Sequence, residues 1–194
     1  MNILISGFEP FGNRPVNVSW EIAKKFKDTA GLKVILLPVS FSNAHNSLIN
    51  MIESKDYDLI IMMGETAASN DAVRLERVAL NMKDSLMSDN EGKKGDEEEI
   101  VAGASKAYFT KFPVKKTALA LKDKGYRVKV TNSAGTFVCN SLYYNVLHYL
   151  EENKIQTKAL FVHLPVSTEI VSLSEMELII KKLIKTYEGI GKIH

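Results

Sequence analysis

The 194-residue chain has a single cysteine, Cys139, placed where a predicted strand passes into a predicted helix. Residues 126–131 predict the strand, Gly135 marks a turn, and an amphipathic helix begins near the cysteine. Unpaired N–H groups and the positive end of the helix dipole favour a thiolate there, so we expect a nucleophilic thiol with a lowered pKa. The alternative is a small buried hydrophobe, because cysteine is among the most buried residue types.

Four histidines could supply the base that a cysteine hydrolase needs. His148 follows Cys139 by nine residues on one predicted helix, about 13 Å along its axis, which is too far for contact. His45 begins a polar helix and is expected at the surface, and His194 is the last residue and is expected to fray. His163 ends the last predicted strand, and we expect it on the same rim of the sheet as Cys139. A histidine bonded only to backbone is the structural alternative for that position.

Two further groups could complete a site. Glu76 is a carboxylate among apolar residues at 75–81, where its charge needs a partner, and the adjacent Arg77 points to the opposite face if the segment is extended. This makes Glu76 a candidate to orient the base. Phe8 and Phe11 stand three apart in a loop rich in proline and glycine that follows the first predicted strand. Aromatic residues in such a loop either fill the core or line a pocket for a small molecule.

The elements that position these residues alternate along the chain. Strands are predicted at 2–6, 32–39, 59–63, 126–131 and 159–162, and helices at 20–27, 43–54, 114–124, from 139 and from 174. This alternation indicates an α/β fold with its site at the carboxyl ends of the strands. We expect residues 1–194 to form a single-domain three-layer α/β/α sandwich around a mostly parallel, twisted central sheet. Residues 65–103 interrupt the pattern, and so long an excursion is usually functional or mobile.

Composition excludes several classes of protein. A net charge of +2 spread along the chain gives no basic stripe for nucleic acid, and no apolar run is long enough for a membrane span. One cysteine permits no intrachain disulfide, which favours a cytoplasmic location. The acidic run at 96–99 comes without histidine or ligand spacing, so we expect a solvated face and no metal site.

Five motifs in a fixed order give the chain a close resemblance to pyroglutamyl peptidase I, also called pyrrolidone carboxyl peptidase. They are GFEPFG at 7–12, NVSW at 17–20, LERVALN at 75–81, NSAGTFVCN at 132–140 and FVHLP at 161–165. The resemblance implies a cysteine exopeptidase that removes N-terminal pyroglutamate from peptides and needs no metal or cofactor. It also implies a homo-oligomer, either a tetramer or a dimer, without nucleic-acid or membrane partners.

The resemblance assigns roles to individual residues. Cys139 is similar to the family's nucleophile, His163 to its general base and acid, and Glu76 to the carboxylate that orients the histidine. The residues implied to bind the substrate are Phe8, Phe11, Glu65, Phe137 and Val138. Such an apolar slot suits a neutral lactam that lacks the free amino group of ordinary peptides.

Some positions depart from the family pattern. Leu86 stands where an active-site arginine is expected, Val39 replaces a threonine, and residues 65–69 differ from the usual loop, with one extra residue before Glu76. These departures leave an alternative open: a divergent, weakly active or inactive homologue that works as a binding or interaction protein.

Overall fold

The structure is a computed structural model that describes residues 1–67 and 71–191. The helices in these ranges are α1 (Val18–Ala23), α2 (Asn43–Ser54), α3 (Val114–Lys122), α4 (Val138–Glu152) and α5 (Leu173–Gly191). The strands of the central sheet are β1 (Ile3–Phe8), β2 (Leu32–Leu37), β3 (Leu59–Thr66), β4 (Val73–Glu76), β9 (Val128–Thr131) and β10 (Lys158–Pro165). Four short strands lie outside it: β5 (Val78–Leu80), β6 (Lys83–Ser85), β7 (Gly95–Glu98) and β8 (Ala107–Phe109).

The six strands of the central sheet follow the order β2-β1-β3-β10-β4-β9. Strands β2, β1, β3 and β10 are parallel, whereas β4 pairs antiparallel with β10 and parallel with β9. The last two strands therefore run opposite to the other four. The sheet is mostly parallel, as the sequence predicts. Its one antiparallel pairing joins β4 to β10, the strand that carries His163.

Helices cover both faces of the sheet, which gives three layers. One hydrophobic cluster packs α1, α3 and α5 against one face, and a second packs α2 and α4 against the other. Residues 59–64 of β3 and residues 159–165 of β10 are buried throughout, because central strands covered on both sides have no solvent-facing side chains. This confirms the α/β/α sandwich.

Strand β2 differs from its expected environment. The apolar run at 32–39 predicts a strand buried on both faces, but β2 is an edge strand and Leu36 is exposed. Apolar content alone does not distinguish an edge strand from a central one, since both read as short hydrophobic runs.

The excursion at 65–103 is largely structured where it is described. Strand β5 pairs with β8, and β6 pairs with β7, so that this part of the chain adds two small antiparallel sheets. Asp89, between β6 and β7 in the chain, is buried, and its carboxylate accepts hydrogen bonds from three backbone N–H groups. Among the described helices, none combines the length and the apolar composition that a bilayer crossing needs.

Candidate active site

Cys139 is the second residue of α4, and neighbouring residues fix the start of this helix. The amide of Asn140 donates to the carbonyl oxygens of Leu80 and Met82, and its side-chain oxygen accepts from the N–H of Leu80. The Asn140 side chain is fully buried, so these three bonds tie the helix start firmly to β5. The thiol is half-buried at this fixed position.

The route by which the chain reaches this position differs from the expected one. The expected connection is wrong, because β9 runs opposite to β10 and β4 lies between them. The expected outcome still holds, since the sulfur lies over Gly64, which is level with His163 near the carboxyl ends of β3 and β10. The end of β9 at Thr131 is level with Phe161, not with the end of β10. Residues 132–137 then cross about three strand spacings, roughly 14 Å, to bring the thiol above β3.

Gly64 allows the thiol to approach the sheet closely. A Cβ atom placed on Gly64 would lie 2.7 Å from the Sγ of Cys139 and 2.9 Å from the Cζ of Phe161. Real Cβ atoms do not make contacts this short, so a side chain here would displace the thiol or the ring. Gly64 pairs with His163 in the ladder between β3 and β10, and paired residues share one face of the sheet. The sulfur therefore lies on the face of the sheet that carries the His163 side chain.

His163 is held in place by a buried carboxylate. Its Nδ1 lies 2.9 Å from Oε1 of Glu76, and the Oγ1 of Thr131 donates to the other oxygen of Glu76 at 2.7 Å. Glu76 is 0% exposed and stands two residues along β4 from the partner of His163 in the antiparallel ladder. With Glu76 ionised, Nδ1 carries the proton and Nε2 is left as the free basic nitrogen. His163 itself lies inside β10, which continues to Pro165, rather than after the strand.

The resting state of the thiol is the opposite of the expected one. Burial raises the pKa of Cys139 from 9.0 to about 12, and the charges of Glu65 and Glu76 add to this effect. The prediction of a thiol activated by the helix start is wrong, because desolvation of the thiolate and two nearby carboxylates outweigh the backbone donor at that position. Cys139 is thus a neutral thiol at rest and needs a base during the reaction.

A cavity of about 320 Å³ opens beside the sulfur. Its lining includes Cys139 and every residue that the sequence implies for substrate binding, namely Phe8, Phe11, Glu65, Phe137 and Val138. The Phe137 ring lies 5.2 Å from that of Phe11, so aromatic faces form one side of the cavity. Its volume is at the small end of the range for ligand pockets, which suits a single small ring.

An ion pair lies within this mainly apolar wall. Oε1 of Glu65 accepts from Arg14 at 2.9 Å, and Oε2 accepts from the backbone N–H of Val18 at the start of α1. The Glu65 side chain is only 12% exposed, and that of Arg14 is 35% exposed. The carboxylate is therefore already neutralised before any ligand enters.

Sequence reasoning missed three residues that complete the site: Arg14, Gly64 and Thr131. A signal existed for Arg14, because a buried Glu65 requires a cation and Arg14 is a basic residue in the loop that carries Phe11. No comparable signal marked Gly64 or Thr131, whose roles depend on strand register.

The remaining histidines lie elsewhere. His148 pairs with the hydroxyl of Tyr108 at 3.0 Å, and His45 is half-buried on α2, not at the surface as expected. His194 and residues 68–70 of the altered loop are outside the described residues. A larger groove of about 700 Å³ lies at the opposite, amino-terminal ends of the parallel strands, and none of the described residues that line it is a cysteine or a histidine. Within the described ranges, no cluster of three or more potential ligands could hold a metal ion.

Comparisons with known proteins agree with this arrangement. A family model described as "Pyroglutamyl peptidase" matches residues 1–182. The pyrrolidone-carboxylate peptidase of Thermococcus onnurineus is 38% identical over 99% of this chain and 98% of its own length, and that of Thermococcus kodakarensis is 40% identical over 87% and 83%. The crystal structure of pyrrolidone carboxyl peptidase from Fervidobacterium islandicum superposes with a TM-score of 0.90 at 29% identity, covering 97% of this chain and 99% of that one. The chain belongs to the pyroglutamyl peptidase family.

Proposed function

We propose that this protein is a cysteine exopeptidase that hydrolyses the amide bond after an N-terminal pyroglutamyl residue. The observation that carries the proposal is the position of the Cys139 sulfur above Gly64, on the same face as a His163 whose Nδ1 is bonded to Glu76. A nucleophile, a base on the same face of the sheet, and an orienting carboxylate are the parts that covalent amide hydrolysis needs.

Cys139 acts as the nucleophile and His163 as the base. Because the pKa of the thiol is raised, its proton moves to Nε2 of His163 as the sulfur attacks the pyroglutamyl carbonyl carbon. The positive charge that forms on the imidazole is stabilised by the carboxylate of Glu76, which is bonded to Nδ1. The oxyanion lies near the first turn of α4, where the initial N–H groups have no helical partner.

The intermediate then collapses in two balanced steps. The carbon–nitrogen bond breaks, His163 returns its proton to the departing amine, and a thioester with Cys139 remains. Water next attacks the thioester carbonyl as His163 takes one of its protons, and the thiol is restored as pyroglutamate leaves. Water is the only co-reactant, so the reaction needs no cofactor.

The cavity accounts for selectivity towards the lactam. Phe8, Phe11, Phe137 and Val138 enclose a small, flat, neutral group, and Glu65 with Arg14 supplies polar atoms at one wall. An unmodified N-terminus brings an ammonium group, which would need a free carboxylate. Glu65 is already paired with Arg14, so a free ammonium is disfavoured in this cavity.

The test is release of aminomethylcoumarin from pyroglutamyl, prolyl and glutaminyl amides under reducing conditions. We expect turnover of the pyroglutamyl amide only, and a loss of at least about 1,000-fold in Cys139→Ser, since a hydroxyl is a far weaker nucleophile at this site. No turnover at high enzyme concentration, together with saturable binding of a pyroglutamyl amide, would instead support the binding protein that sequence analysis leaves open.

We further propose that the protein is cytoplasmic and forms a homo-oligomer, a tetramer or a dimer. Exposed apolar side chains on either side of β6 support the second point: Leu86 is 95% exposed, and Met82 and Met87 are also exposed. Neighbouring apolar side chains that are exposed together mark a surface that a partner chain can cover. Light scattering coupled to gel filtration measures the state directly, and a monomer at micromolar concentration would contradict it.

A further inference from the structure

Arg74 lies next to His163 but outside the machinery described above. The two residues are partners in the antiparallel ladder between β10 and β4, so their side chains leave the same face of the sheet. The other ladder partner of Arg74 is Lys129 on β9, and this puts two cations on the same face beyond the histidine. A substrate that extends from the cavity past His163 therefore reaches Arg74 before Lys129.

The two cations differ in how their charges are compensated. Lys129 donates to Asp71 at 2.8 Å and forms an ion pair with it. Arg74 forms no ion pair within 4.0 Å anywhere in the described parts of the chain, and its Nε is buried without a hydrogen-bond partner there. Arg74 is the smallest of the causes that lower the pKa of Asp71, and the hydrogen bond from Lys129 is the largest. A partly buried guanidinium with an unused donor is costly unless a ligand supplies the acceptor.

The layout of the sheet shows which part of a substrate Arg74 would meet. The cavity lies on the side of Phe8 in β1 and Glu65 in β3, the sulfur lies over Gly64 in β3, and His163 follows on β10. Arg74 is on the next strand, about 10 Å from Gly64 at two strand spacings. With the pyroglutamyl ring in the cavity, the leaving group passes His163 toward Arg74. An extended peptide advances about 3.3 Å per residue, so its first or second leaving residue reaches the guanidinium.

We propose that Arg74 determines specificity on the leaving-group side by binding a carboxylate of the peptide that is released. This inference rests on the proposed peptidase activity. The preferred substrates are then pyroglutamyl dipeptides with a free α-carboxylate, and longer peptides with an acidic residue soon after pyroglutamate. Arginine suits this role because its planar fork binds both oxygens of a carboxylate.

The test compares pyroglutamyl-alanine with pyroglutamyl-alanine amide, which differ only in the charge of the leaving group. The ratio of kcat/KM for the acid over the amide is measured by mass-spectrometric detection of the released alanine or alanine amide. We expect the wild-type enzyme to favour the acid by about 10-fold or more, the usual effect of a hydrogen bond between charged groups. In Arg74→Gln the ratio falls by the same factor, mainly through KM. In Arg74→Lys it is intermediate, because a lysine makes a single-point contact.

Arg127→Gln is the matched control. It removes the same charge from a neighbouring position, where Arg127 is paired with Glu175 at 3.0 Å and does not face His163 through the ladder. We expect it to keep the wild-type ratio. A wild-type enzyme without preference for the acid overturns the proposal, and so does an equal change in the ratio for Arg74→Gln and Arg127→Gln. Equal loss on both substrates in Arg74→Gln would also overturn it, because it would show a structural role only.

Two further features keep the test decisive. If Arg74→Gln does not fold, as judged by its melting temperature, the wild-type ratio and the Arg74→Lys ratio still decide the question. If neither substrate is hydrolysed, the peptidase activity itself fails; hydrolysis of both at equal rates leaves that activity standing and refutes only the role of Arg74.

Discussion

The charge pair in the cavity wall should tune the reactivity of Cys139 in two opposite directions. Glu65 raises the pKa of the thiol, after burial, and Arg14 offsets part of that charge through its 2.9 Å bond to Glu65. Glu65→Gln removes the carboxylate and leaves Arg14 unpaired, which favours the thiolate. Arg14→Gln leaves Glu65 uncompensated and disfavours the thiolate. The two substitutions change the net charge of the wall by +1 and −1.

The size of the effect follows from the compensation within the pair. A charge close to a titrating group shifts its pKa by about 1 to 3 units, and the partner bonded to Glu65 cancels part of this, so we assign about one unit, or ~1.4 kcal/mol, to each substitution. The thiolate fraction then changes about 10-fold at a fixed pH. When the pKa of a thiol falls, its thiolate also becomes less nucleophilic, with a Brønsted coefficient of about 0.4 to 0.5. The observed alkylation rate therefore changes by about 3- to 4-fold.

Alkylation by iodoacetamide measures this rate without interference, because Cys139 is the only cysteine. For the wild type we expect the rate to rise about 10-fold per pH unit from pH 6 to 9.5 without a plateau, since the thiol pKa is about 12. Glutathione in the same tubes provides a normal thiol that levels off. Glu65→Gln should react faster and Arg14→Gln more slowly at every pH. A wild-type plateau below pH 8, or two variants that shift in the same direction, would refute the electrostatic reasoning.

Four other substitutions test the positioning of the site and the role of a half-buried histidine. Glu76→Gln should lower kcat by roughly 100- to 10,000-fold, because an amide can stabilise the wrong tautomer of His163, whereas Thr131→Val removes only one supporting bond and should cost less than about 10-fold. Gly64→Ala should abolish most activity and destabilise the fold by about 1 to 3 kcal/mol in denaturant titrations, because its Cβ would meet the sulfur. His45→Asn should lessen the loss of melting temperature between pH 7 and pH 5: burial lowers the pKa of His45, so the unfolded chain protonates first as the pH falls below about 6.5 and is favoured.

Each of these comparisons has a result that contradicts it. For Gly64 the control is Gly189→Ala on α5, where no atom lies within 4 Å of the added carbon and a helix former should stabilise by about 0.5 to 1 kcal/mol. Equal effects at the two glycines would remove the argument from close approach. Equal kcat losses in Glu76→Gln and Thr131→Val would show that the carboxylate acts through packing. A pH dependence identical in His45→Asn and the wild type would assign the acid sensitivity to other groups.

The layers of the fold could be predicted from the sequence, whereas the direction of its strands could not. Alternation of buried strands and amphipathic helices indicated helices on both faces of a mostly parallel sheet, and both hydrophobic clusters match it. Residues 126–131 predict the strand β9, but nothing in them encodes that β9 and its neighbour β4 run opposite to β10. Strand direction is set by long-range pairing, which local periodicity does not contain.

The site illustrates the same limit at the level of single groups. Chemical type and elimination selected Cys139 and His163, although the strand before Cys139 does not end at the rim where His163 lies and residues 132–137 have to cross the sheet to reach it. The direction of the thiol pKa shift could not be predicted from the sequence either. It depends on the burial of the sulfur and on the carboxylates that β3 and β4 bring near it. Helix position is visible in a sequence; desolvation by the packed neighbours is not.

The reversed strand explains how the site places a fully buried carboxylate against the base, which is itself buried but less deeply. Because β4 runs antiparallel to β10, Glu76 pairs with Phe161 and lies deeper in the sheet than His163, where it is fully buried. Arg74 occupies the level of His163 on the same strand and face. A single two-residue step along β4 therefore places the orienting acid beneath the base and a cation beside it. The antiparallel direction of β4 could not be predicted from the local sequence pattern. It nevertheless positions both the carboxylate that orients His163 and the cation proposed to bind the leaving group.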